Sequence, residues 1–68
     1  MKDEIFKIIK SHPGLRKREI ASYLHISHLN KDFMRCMREL EMIDNKIYYV
    51  FYQDRANMEF YDKWYIVE

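Results

Sequence analysis

The hydrophobic pattern changes period part-way along the chain, and that change sets the order of its elements. Up to about residue 42, apolar residues recur at helical spacing: Ile5, Ile8 and Ile9, then Ile20, Ala21 and Leu24, then Phe33, Cys36, Met37 and Leu40. Beyond Lys46, β-branched and aromatic residues run together or alternate, as in Ile47-Tyr48-Tyr49-Val50-Phe51-Tyr52. Apolar residues three and four apart share one face of a helix, whereas residues two apart share one face of a strand. The chain therefore reads as helices first and a hairpin after them, an α+β arrangement in one domain over residues 1–68.

Size narrows the functions open to it. A chain of 68 residues buries only ~60 % of its unfolded surface. It has no room for a cleft between two domains, a dinucleotide-binding unit or a barrel. One Gly and one Pro, with 49 % hydrophobic residues, argue against disorder. A single cysteine, Cys36, excludes an internal disulfide, so the core must suffice or a second subunit must help. No apolar run approaches the ~18 residues that span a bilayer. No signal-peptide pattern opens the chain, so the expected location is cytoplasmic, with no membrane partner.

The first helix begins at Asp3-Glu4 and is stopped by His12-Pro13-Gly14, since proline cannot continue the hydrogen-bond ladder. The second is expected from Arg16 to Leu24, with an arginine where a capping Ser or Thr normally stands. His25 to Leu29 reads as a connector that tucks Ile26 and Leu29 inward. Asn30 is a good N-cap for a third helix reaching about Met42. At 100° per residue, Phe33, Cys36, Met37 and Leu40 fall on one side of it. Lys31, Arg35 and Arg38 fall opposite, with Met34 at the flank, and Asp32 and Glu39 share a third edge. Asp44-Asn45-Lys46 is a turn, 47–52 a strand, 53–57 a polar loop, and Met58 to Val67 the returning strand.

Charge follows the same division. The formal total is +1. Residues 1–41 carry nine Lys and Arg against six Asp and Glu, whereas residues 42–68 carry three against five. The total thus conceals a basic helical part and an acidic hairpin.

The order of elements resembles the winged helix-turn-helix domains of transcription regulators. The resemblance covers nearly the whole chain. It is carried by Gly14-Leu15, the run Arg18-Glu19-Ile20-Ala21-Ser22-Tyr23-Leu24, Ile26-Ser27, then Phe33, Met37, Leu40 and Ile43. Where many members have a glycine after the third helix, this chain has Met42 or Asp44. The resemblance implies a three-helix winged helix-turn-helix fold with a C-terminal two-stranded β-hairpin wing. It implies double-stranded DNA as partner, with the helix at about 30–42 in the major groove. Arg16, Lys17 and Arg18 would then lie near phosphates, and Asn30, Lys31, Met34, Arg35 and Arg38 on the reading helix. Arg55, the single cation of the wing loop, would reach a minor groove. The stand-alone size suits a small regulator of phage or mobile-element type.

Each residue set also has a plainer reading. Lys31, Arg35 and Arg38 are what any solvated helix face carries. His25, His28 and Cys36 do not supply the four ligands of a closed zinc site, and Cys36 falls on the apolar side of its helix. No nucleophile triad, phosphate loop or carboxylate pair is present, so neither an enzyme, a cofactor nor a small-molecule substrate is expected. The hairpin holds most of the aromatics, and three helices can cover only one of its faces. Tyr49, Phe51, Tyr61, Trp64 and Tyr65 are therefore candidates for a homodimer or partner interface, with the first helix as another dimer surface. Half-buried tyrosines or a stacking platform for single strands are the other readings. A winged-helix module that binds protein through the aromatic hairpin, without touching DNA, is the alternative function.

Overall fold

A computed structural model describes all 68 residues. Three helices, α1 (Lys2–Ser11), α2 (Lys17–Tyr23) and α3 (Lys31–Arg38), precede two antiparallel strands, β1 (Ile47–Asp54) and β2 (Glu59–Ile66). A π-helical turn, Glu39–Ile43, extends α3. No helix is long and apolar enough to cross a membrane.

Every element sends apolar residues into one core. Ile5 and Ile9 come from α1, Ile20 and Ala21 from α2, and Phe33, Cys36 and Met37 from α3. Leu40, Ile47 and Trp64 complete the buried set, which contains no charged or polar residue. These are the helical stripes read from the sequence. Gly14, at φ +92°, makes the turn after α1 in a conformation that a side chain disfavours.

The start of α2 has a cap that the sequence reading did not find. The Glu19 carboxylate accepts the Arg16 backbone N–H at 3.1 Å. The third residue of the helix thus reaches back to the N-cap N–H, which is the half of a capping box that needs no acceptor on the Arg16 side chain. Asn30 caps α3 as expected, accepting the Phe33 N–H at 3.1 Å.

The exit from α3 is resolved by a wider turn. The Asp44 N–H donates to the Glu39 carbonyl at 2.8 Å, and the Lys46 N–H to the Leu40 carbonyl at 2.8 Å. Asn45 takes the left-handed conformation (φ +53°) that ends many helices. An asparagine two residues beyond Ile43 therefore serves where a glycine is common. The widened turn leaves Met42 and Ile43 exposed. Leu29, expected to point inward, is 67 % exposed. Only Ile26 of the connector packs against the core.

β1 runs two residues further than the sequence predicts, whereas β2 is one residue shorter at each end than the expected Met58 to Val67. Eight pairs run from Ile47↔Ile66 to Asp54↔Glu59 without a bulge, and the loop contracts to residues 55–58. Cross-strand partners share a face, so Ile47, Tyr49, Phe51 and Gln53 lie with Ile66, Trp64, Asp62 and Phe60 on the side that meets the helices. Tyr48, Val50, Tyr52, Tyr61, Lys63 and Tyr65 occupy the other side. Leu15, between α1 and α2, adds one rung to the free side of β2: the Trp64 N–H donates to the Leu15 carbonyl, and the Gly14 N–H to the Trp64 carbonyl, both at 2.9 Å.

Replacing Phe33 by Ala removes a fully buried ring, at a cost of about 3–5 kcal/mol, comparable with the whole stability of a domain this small. Urea unfolding is expected to show it largely unfolded without denaturant. Leu29→Ser, at an exposed site, is expected to stay within about 0.5 kcal/mol of the parent.

Candidate nucleic-acid interface

The outer face of α3 is polar because its inner face is spent on Phe33, Cys36 and Met37. Lys31, Met34, Arg35 and Arg38 all point to solvent. Their charges are not equivalent. Arg35 leans toward the acidic edge, 3.3 Å from Asp32 and 3.9 Å from Glu39. Lys31 and Arg38 make no ion pair. The acidic edge is further answered by α1: the Lys2 ammonium lies 2.8 Å from Glu39 and 3.1 Å from Asp44. The hydrogen bond to Glu39, then that to Asp44, holds Lys2 above its ordinary pKa. With Asp32 and Glu39 both facing cations, Lys31 and Arg38 are the charges this helix offers to an anion. Asn30, placed in the candidate DNA set, has its side-chain oxygen committed to the cap.

The basic residues at the start of α2 are drawn toward the hairpin. Leu15 pairs with Trp64 like a short strand, so alternation turns Arg16 toward the outer face of β2. Its guanidinium lies 4.1 Å from the centroid of the Tyr61 ring. The Lys17 ammonium stands 5.5 Å from the Trp64 ring centroid. Both distances are within reach of the attraction between a cation and an aromatic face. Arg18 is exposed. The basic run and the aromatics, read as separate features in the sequence, thus line one groove. The groove also contains Glu41, Glu59 and Asp62. Three carboxylates beside Arg16, Lys17 and Arg18 leave it without net formal charge. Sequence reasoning missed this groove, because pairing Leu15 with Trp64 requires segments far apart in the chain.

Arg55 is exposed on the loop between the strands. That loop is organised by Asp54, whose carboxylate accepts the Asn57 side-chain N–H at 2.9 Å, the Ala56 N–H at 3.1 Å and the Asn57 N–H at 3.4 Å. These bonds, that from the Asn57 side chain foremost, hold Asp54 below its ordinary pKa. Such self-bonding by aspartate is a common means of fixing a turn.

Four of the five aromatic interface candidates, Tyr49, Phe51, Tyr61 and Trp64, line the groove with Arg16, Lys17 and Arg18, whereas Tyr65 does not. Trp64 is 2 % exposed and belongs to the core. Its indole N–H donates to the Asp62 carboxylate, and its ring lies 5.0 Å from that of Tyr49. Tyr49 and Phe51 lie on the helix side of the hairpin, Tyr61 and Tyr65 on the other. The large apolar rings most open to solvent are Phe51 and Phe60, each 69 % exposed. Phe60 stands outside the five candidates chosen from the sequence.

No three His, Cys, Asp or Glu side chains converge as a metal site. Cys36 is buried, whereas His25 is exposed on a left-handed turn. No protein-family model, curated protein or solved structure matches this chain. Its residues and geometry therefore carry the functional argument alone.

A depressed carboxyl pKa contributes stability above the unfolded value, and that contribution is lost as pH falls through the folded one. The hairpin turn is therefore expected to loosen on acidification. NMR should show Asp54 titrating below the ordinary aspartate value of 3.8. Asn57→Ala is expected to move that midpoint upward and to speed exchange of the amides at 56 and 57.

Proposed function

We propose that this chain is a winged helix-turn-helix domain that binds double-stranded DNA as a small transcription regulator, with α3 entering the major groove. The observation that carries the reading is the outer face of α3, where Lys31 and Arg38 stand free beside Met34 while the opposite face is locked in the core. Arginine can bond two acceptors of guanine at once, and lysine and arginine both neutralise phosphate. Arg18 and Arg55 supply further unpaired cations on α2 and on the hairpin loop. Three helices followed by a hairpin provide the layout that such recognition uses.

The near-neutral total charge limits non-specific affinity but does not oppose groove recognition, because the free cations are concentrated on the helices. Arg35 has a smaller part in this reading than Arg38, since it must leave Asp32 and Glu39 to reach a phosphate or base.

One observation favours a different use of the hairpin. Its groove is aromatic and balanced in charge, as protein contacts are, with Phe51 and Phe60 outermost. A protein-interaction module without DNA contact is the second reading.

Fluorescence anisotropy with random duplex DNA at low salt separates the two. Binding is expected to weaken steeply as salt rises, with the slope falling by about one unit for each phosphate-contacting cation removed. Arg38→Ala is expected to cost about 1–3 kcal/mol if the side chain reads a base, and Arg35→Ala less. Circular dichroism should remain unchanged in both. Equal affinity of the parent and the Lys31→Ala/Arg38→Ala double variant would sink the DNA reading.

A further inference from the structure

The hairpin has one open edge, and its residues are arranged to pair with themselves. Three bonds fix which backbone groups are free. The Val67 N–H donates to the Lys46 carbonyl at 2.8 Å, so position 46 bonds toward β2. Trp64 turns its N–H and C=O away from β1, toward Leu15 and Gly14. Its cross-strand partner Tyr49 must therefore turn its own groups away from β2. Alternation extends this to Ile47, Phe51 and Gln53. Their N–H and C=O groups form a row along the outer edge of β1.

Such an edge is ordinarily protected by lysine, proline or a bulge. Here β1 contains no proline or lysine, its ladder with β2 is unbroken, and no element covers its edge with a further rung. From Tyr48 to Tyr52 every side chain is apolar or aromatic and exposed.

The geometry points to a second copy of this chain as the occupant, with β1 pairing antiparallel to β1 about a two-fold axis at Val50. Antiparallel pairing of identical strands is two-fold by construction, so the contact closes at two subunits. The register follows from the backbone and from charge. Centring on Val50 opposes Tyr49 with Phe51 of the second copy and Ile47 with its Gln53, which engages all four free positions of each strand. It also sets Lys46 of each copy opposite Asp54 of the other, a charge pair at both ends of the ladder. Centring on Tyr49 instead would oppose Asp54 with Asp44, both negative. Centring on Phe51 would leave Ile47 facing Arg55, outside the strand, and oppose Asp54 with Tyr48. Only the Val50 register combines the full ladder with charge complementarity. The resulting sheet would have four long strands, and Tyr49 and Phe51 would gain aromatic cross-strand partners.

This inference does not rest on DNA binding, and its test contains no DNA. In the Val50 register the two Val50 residues form a non-hydrogen-bonded pair. Their Cα atoms would lie ~4.5 Å apart, within the ~4.4–6.8 Å that a disulfide spans. The full chain is expected to sediment as a dimer. Val50→Cys is expected to cross-link between copies under mild oxidation, and Met58→Cys, exposed at the loop tip, to do so far more slowly. Cys36 is buried and does not compete. Val50→Glu, which faces Lys63 within its own hairpin, sets like charges together only across the two-fold. It is expected to raise the dimer dissociation constant at least about tenfold, or ~1.4 kcal/mol, with unchanged circular dichroism. A monomeric parent at NMR concentrations, or a dimer in which Val50→Cys links no faster than Met58→Cys, overturns the assignment.

Discussion

Trp64 joins the two halves of this protein. Its indole is buried among residues of the helices, and its N–H and C=O bind Leu15 and Gly14 from the segment between α1 and α2. Through its side chain and backbone it holds the hairpin both face-on and edge-on to the helical part. A two-stranded hairpin alone is marginal in water, so β1 and β2 depend on this attachment. The attachment also places the start of α2, and with it Arg16 and Lys17, over the aromatic strand.

That placement separates two surfaces. On α3, Lys31 and Arg38 are free because Arg35 and Lys2 face the neighbouring carboxylates. On the hairpin, Arg16 and Lys17 are engaged with Tyr61 and Trp64 and lie near three acids. The first surface suits a polyanion and the second suits protein. A two-fold pairing through β1 would present two α3 faces at once. It would double the number of free cations available to a duplex, which matters for a chain whose total charge is only +1.

Much of the fold was legible. The stripes on all three helices, the Asn30 cap and the alternation within β2 follow from short-range spacing, and all recur in the structure. The misreadings share a cause. Leu29 carries an apolar side chain that the pattern sends inward, yet it is exposed. Trp64 was read as an interface residue because aromatics in a hairpin outnumber what three helices can cover. Local pattern does not say which of them is covered. The Glu19 cap was missed because the sequence reading asked only what the N-cap residue could accept.

Alone, the sequence determined the order of elements, the buried face of each helix and the two faces of the hairpin, because backbone periodicity ties these to residues a few positions apart. The tertiary structure decided which hairpin face meets the helices, where Arg16 and Lys17 lie, which α3 cations stay unpaired and which strand edge stays open. Those depend on Leu15 meeting Trp64 and Lys2 meeting Glu39. Contacts between residues so distant in the chain are set by how the whole core packs, and no local spacing encodes them.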